Sequence, residues 1–293
     1  MKKVFLSIMF LLFWSLTFAG ALEDLTAGRT ALERKEYARA LEYLTKTETT
    51  APENTKMSLY IDLAICYRGL KNYDMAIKYY QKAVVLSPKM SELYYNIGLA
   101  YYYKGTLKKA QEYYKKTIGM SPEYTEAYGA LAMAYRDDNM LDLAAVTVKK
   151  AINLNPKYAG GYNILGNCYE DRGFHKEAVE MYKKAIRLRP AYASAFYNLG
   201  VVYDEMGQYA SAIDAYKQAT AINKKDPQIY YNLGVAYMKA GKDYAAQDVF
   251  KQAIKLDDTF ETAYENLILS LKKSGQSREA VKWEALKKNR FGE

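Results

Sequence analysis

The sequence predicts an all-α protein built as a solenoid of about eight helical hairpins, and three observations carry that prediction. Alanine recurs at positions 40, 76, 110, 144, 178, 212, 246 and 280, a spacing of 34 residues throughout except for the first step of 36. A fixed period of this size is the signature of stacked repeats. Within a 34-residue unit whose slot 20 holds that alanine, slots 4, 7, 8 and 11 are apolar or small, the spacing of one helix face. Glycine at slot 15 and proline at slot 32 then punctuate the unit.

The units run 21–54, 57–90, 91–124, 125–158, 159–192, 193–226, 227–260 and 261–293, with Thr55 and Lys56 as an insertion. The first helix of each reads Tyr or Phe at slot 4 (Tyr60, Tyr94, Tyr128, Tyr162, Phe196, Tyr230, Tyr264) and tyrosine at slot 11 (Tyr67 to Tyr237). Slot 8 is small in seven units and becomes Ile268 only in the last. Gly105, Gly173, Gly207, Gly241 and Gly275 suit a helix end needing positive φ. A second helix follows from slots 20, 24 and 27, as in Ala212, Tyr216 and Ala219. Pro52, Pro88, Pro122, Pro156 and Pro190 stop it. Pro227 follows Asp226, an N-cap and first-turn pair. The pattern further suggests that small residues at slots 8 and 20, such as Gly200 and Ala212, face each other within a hairpin. On that reading the aromatics at slots 4, 11 and 24 fill the gaps between hairpins.

These residues resemble the tetratricopeptide repeat, with Tyr162 to Pro190 and Phe196 to Ala219 matching at nearly every signature slot. The first unit departs at Asp24 and Ala31 and the last at Ile268 and Glu284, as terminal caps do. The resemblance implies a right-handed superhelix whose first helices line a concave face with slots 2, 5, 6, 9, 12 and 13.

Residues 1–21 read as a secretory signal: Lys2 and Lys3, an apolar run from Val4 to Phe18, then Ala19-Gly20-Ala21, with cleavage expected after Ala21. The expected location is extracytoplasmic, periplasmic or secreted, with no stable membrane span after cleavage; an uncleaved anchor is the alternative. The formal charge of +9 would fall to +7 on cleavage. Much of the remainder sits at slots 25 and 26 (Lys82, Lys115, Lys116, Lys149, Lys150, Lys183, Lys184, Lys217, Lys251), expected on the solvated convex face. Cys66 and Cys168, three repeats apart, are expected to be buried and unbridged.

Catalytic chemistry finds no support in the sequence. The single histidine, His175, falls in an inter-helix turn, and no Cys–His pair, metal-ligand cluster or phosphate loop accompanies it. Carboxylates Asp137, Asp138, Glu170, Asp171, Asp204 and Glu205 read as a solvated acidic band. No catalytic residue, metal or cofactor is therefore expected, and no nucleic acid partner.

A protein or peptide partner is. Asn96, Asn198, Asn232 and Asn266 fill slot 6, joined by Asn163 and Asn167 at slots 5 and 9; each amide offers a donor and an acceptor to an extended backbone. Tyr95, Tyr102, Tyr197 and Tyr231 at slots 5 and 12 add amphipathic contact area. The groove runs from aromatic at Tyr102 and Tyr103, through acidic at Glu170 and Glu205, to basic at Lys239, Lys272 and Lys273. The basic clamp for a terminal carboxylate found in some relatives is missing, since Asn163, Gln228 and Asn232 stand at its slots. The function expected is a non-enzymatic scaffold binding an extended segment in its concave groove. The alternative is a subunit of an envelope, secretion or transport assembly using its convex or end surfaces. Homo-oligomerisation is left open.

Overall fold

The computed structural model describes residues 20–292, so the signal assigned to 1–21 lies almost wholly outside the described residues. Every regular element among the described residues is helical. Helix α1 covers 20–33 and pairs with α2 (Tyr37–Lys46), followed by α3 (Glu53–Gly69) with α4 (Tyr73–Leu86), and α5 (Ser91–Tyr103) with α6 (Leu107–Met120). The fourth repeat is α7 (Thr125–Asp137) and α8 (Leu141–Leu154), the fifth α9 (Ala159–Glu170) and α10 (His175–Leu188), the sixth α11 (Ala193–Glu205) and α12 (Tyr209–Ile222). Then come α13 (Pro227–Lys239) with α14 (Asp243–Leu256), and α15 (Glu261–Lys273) with α16 (Ser277–Phe291). The 34-residue pattern thus becomes one hairpin per unit, and the Thr55–Lys56 insertion is absorbed as extra length in α3. The chain divides into two compact units, 1–140 and 141–293, with the boundary inside the fourth repeat.

In each unit a first helix packs on its own second helix and on the second helix before it, as α5 packs on α6 and α4 in the first unit and α11 on α12 and α10 in the second. Slot 20 is closely packed: all eight alanines there are 0 or 1% exposed. Every slot 15 residue has positive φ, the five glycines at 70–81° and Lys35, Lys71 and Asn139 at 59–61°. The next residue's amide then donates to the slot 11 carbonyl in all eight hairpins, for instance Thr106 to Tyr101 at 2.9 Å and Gln208 to Tyr203 at 2.8 Å. That bond closes the helix end.

Two expectations about packing are corrected. Gly200 faces the ring of Tyr216 at slot 24, not Ala212: a Cβ on Gly200 would lie 2.6 Å from that ring. Gly98 meets Tyr114, Gly166 meets Tyr182 and Gly234 meets Phe250 in the same way. The slot 24 aromatic therefore packs inside its own hairpin, because a ring six or seven atoms deep fills the space that a side-chain-free helix leaves. His175 is the first residue of α10 rather than part of the turn, and its Nδ1 lies 3.5 Å from a Glu205 carboxylate oxygen. Cys66 and Cys168 are buried and not bridged to each other, and burial pushes the Cys66 thiol up to about 12.

Candidate binding groove

In the second unit the structure brings seven of the ten expected site residues together. Asn198 Nδ2 donates to Asn163 Oδ1 at 3.2 Å and to Asn167 Oδ1 at 2.9 Å. Asn232 Nδ2 donates to the Tyr197 hydroxyl at 2.9 Å, and Asn266 Nδ2 to the Tyr231 hydroxyl at 3.0 Å. Each slot 6 amide is thus tied to slot 5 of the preceding repeat, a rung repeated along α9, α11, α13 and α15. One N–H of Asn232 and of Asn266 is already used in the fold. Gln228 Nε2 donates to Asn232 Oδ1 at 3.1 Å from the same face.

The tyrosines are positioned from behind. The rings of Tyr197 and Tyr231 lie 5.9 Å from those of Tyr216 and Phe250, the slot 24 aromatics of their own repeats. Burial raises the Tyr197 hydroxyl's pKa, which the bond from Asn232 partly opposes. In the fifth repeat the slot 24 hydroxyl itself comes through: Tyr182 donates to Asn167 Oδ1 at 2.8 Å and also contacts Glu170. These slot 24 residues were read from the sequence as filler only. Between the rungs Val201 and Val235 are half-buried and Leu269 is 44% exposed. Asp204 pairs with Lys239 at 2.5 Å and Lys272 with Glu284 at 2.6 Å, while Lys273 is exposed.

In the first unit the three remaining site residues behave differently. Asn96 Nδ2 turns back to the Glu92 carbonyl of its own helix at 2.8 Å. The reason is local: slot 5 of the preceding repeat is Ile61, which has no hydroxyl to receive it. Tyr95 packs against Tyr114 at 5.8 Å and Tyr124 at 5.1 Å. Tyr102 donates its hydroxyl to Asp137, so that member of the acidic band is bound into the fold, as is Asp138 by Lys108 and Gln111.

The lysines of the second helices are largely laid over rings. Slot 26 lysines sit above the slot 4 tyrosine of the same repeat, Lys116 over Tyr94 at 4.2 Å and Lys184 over Tyr162 at 5.8 Å. Slot 25 lysines sit above slot 11 of the next repeat, Lys149 over Tyr169 and Lys217 over Tyr237, both at 5.7 Å. Their charge stays near solvent while the ring face satisfies it.

A tetratricopeptide repeat model matches residues 55–123 and 158–225, and two further models of that repeat match 95–162 and 205–271. The chain belongs to the tetratricopeptide repeat family. Its repeats form a protein–protein interaction scaffold. No curated protein matches the sequence. Among solved structures, MamA is 31% identical with a TM-score of 0.49, covering 55% of this chain and 95% of its own. A tetratricopeptide repeat protein from Parabacteroides merdae has a TM-score of 0.67 at 19% identity, covering 86% and 99%. PilF of Pseudomonas aeruginosa has a TM-score of 0.60 at 20% identity, covering 69% and 92%. At these identities the last two likenesses show the fold.

No group of three or more His, Cys, Asp or Glu among the described residues could hold a metal ion, and no described helix is long and apolar enough to cross a membrane.

Proposed function

We propose that this tetratricopeptide repeat protein is an exported, non-enzymatic scaffold that binds an extended protein segment along the groove face of its first helices. The observation that carries the reading is the set of rungs in the second unit. Asn198, Asn232 and Asn266 are held by the neighbouring repeat, so their remaining amide atoms are oriented before any ligand arrives. Ordering side chains in advance lowers the entropy lost on binding. Apolar Val201, Val235 and Leu269 lie between the rungs and suit the alternate side chains of an extended segment. Binding through the opposite face is less well supported, since many of its lysines already rest on tyrosine rings.

Export rests on the Lys2-Lys3 start, the Val4 to Phe18 run and Ala19-Gly20-Ala21. N-terminal sequencing of native protein is expected to find Leu22 first; intact Met1 on carbonate-resistant protein overturns it.

Groove binding is tested by replacing Asn198, Asn232 and Asn266 together with alanine and measuring affinity for crosslinked native partners. Loss of one to three orders of magnitude is expected, from roughly 0.5–1.5 kcal/mol per hydrogen bond. The triple variant also loses its rungs, so the control is Tyr197→Phe with Tyr231→Phe, which removes the acceptors but leaves the amides in the groove. Full affinity in the triple variant, with loss on replacing Lys115, Lys116, Lys149 and Lys150 by glutamine, transfers the function to the opposite face.

A further inference from the structure

Arg68, at slot 12 on the last turn of α3, is half-buried, and its guanidinium makes neither an ion pair nor a hydrogen bond with any described residue. Other charges at slot 12 are matched: Glu170 by the Tyr182 hydroxyl, Asp204 by Lys239 and Lys272 by Glu284. A cation partly removed from water without a counter-charge is unfavourable in the fold alone. Its five donors form a planar fork that matches a carboxylate.

The same repeat also buries a hydroxyl. Tyr80 is 0% exposed, and its hydroxyl has no hydrogen-bond partner. It occupies slot 24 of the same repeat, where Tyr182 of the fifth repeat sends its hydroxyl to slots 9 and 12.

Ile65 and Arg68 also line an open cavity of about 380 Å³, whose walls include Tyr37, Lys71, Tyr73 and Tyr103. The rings of Tyr73 and Tyr103 stack at 6.2 Å and 19°, and Tyr103 is 58% exposed. Tyr37 closes the back by packing on Gly69, where a Cβ would come within 2.5 Å of its ring.

We infer that this cavity in the first unit is a carboxylate-binding pocket: the Arg68 fork and Lys71 take the carboxylate, and Tyr73 and Tyr103 carry a bulky apolar group beside it. The ligand class is a peptide with a carboxylate next to an aromatic or aliphatic side chain, the carboxylate being either an acidic side chain or the chain terminus. The site stands apart from the slots of the family's basic clamp. It rests on the reading of the protein as a peptide binder, but none of the second-unit rungs takes part in it.

The test titrates the full chain at pH 7 with N-acetyl-phenylalanine, its neutral amide, and N-acetyl-aspartyl-phenylalanine amide, following the Arg68 Nε–H resonance and the heat of binding. At least one acid is expected to bind with a millimolar dissociation constant and the neutral amide at least tenfold more weakly. Whichever acid binds identifies the carboxylate as terminal or side-chain. Arg68→Gln should weaken acid binding at least tenfold without lowering the melting temperature, and Arg68→Lys severalfold. Equal response of the parent protein to acid and amide overturns the pocket without recourse to any variant, and so does an Arg68→Gln protein that binds acid like the parent. The triple asparagine variant is expected to bind the probes normally, so failure of the rungs and failure of the pocket register separately.

Discussion

The ring of Tyr216 occupies the space where any side chain on Gly200 would have to stand, with its Cε1 2.6 Å from the position of a Cβ. Glycine at slot 8 and the aromatic at slot 24 therefore pack as a pair in the third, fifth, sixth and seventh repeats. Gly200→Ala forces the ring or the helix to move, an overpacking that costs about 1–3 kcal/mol. Shrinking the ring should rescue it, because the fourth repeat already combines Ala132 with Val148 at these slots, both buried. Urea denaturation of Gly200→Ala, Tyr216→Val and the double variant checks this. A coupling energy near zero would show that the two side chains are independent.

The period was legible in the sequence because every repeat solves the same packing problem with the same residue sizes. The partner of each slot was not, since periodicity reports which face of a helix is buried and leaves open which atoms meet. A signal did exist: where slot 8 becomes Ile268, slot 24 becomes Glu284, whose carboxylate turns outward to Lys272 at 2.6 Å. The rungs were similarly half-visible. Tyr197 and Asn232, like Tyr231 and Asn266, are 35 residues apart, and Asn96 lacks a hydroxyl at that spacing because Ile61 stands there. The Arg68 pocket has no periodic signal, because slot 12 is charged in several repeats and only the structure shows that Arg68 is left unmatched.

Slot 15 offers a stabilising substitution. Lys35 holds φ at 60°, where a side chain is strained, whereas five repeats use glycine there. Left-handed backbone costs a non-glycine residue roughly 1–2 kcal/mol, part of which glycine returns through greater freedom in the unfolded chain. Lys35→Gly should therefore raise stability by roughly 0.5–1 kcal/mol, and Gly207→Val should lower it. Thermal melts of the two variants are expected to move in opposite directions from the parent.

The lysines over tyrosine rings predict a selective effect of charge removal. Lys116 lies 4.2 Å from the Tyr94 centroid, a contact worth about 0.5–1 kcal/mol at an exposed site. Lys116→Gln should lower the denaturation midpoint, and the loss should vanish in a Tyr94→Leu background. Were repulsion among the many lysines the larger effect, Lys116→Gln would raise the midpoint instead, most visibly at low salt.

Acid should loosen the first unit through Glu48. Burial pushes its carboxyl up, but hydrogen bonds from Lys82 at 2.5 Å and from the Tyr79 hydroxyl at 2.8 Å, with the lysine's charge, outweigh that effect and hold it below its ordinary value of 4.5. A carboxyl whose folded value is depressed binds protons less readily than in the unfolded chain. Its contribution is complete above pH 4.5 and is lost as pH falls through the lower folded value. The parent's denaturation midpoint should accordingly drop more steeply below pH 4.5 than that of Glu48→Gln, which cannot titrate. Hydrogen exchange at α4 and at the turn after α2, which Lys82 and Glu48 join, should accelerate in the parent over the same range. Parallel pH profiles for the two proteins would assign the acid sensitivity to other carboxylates.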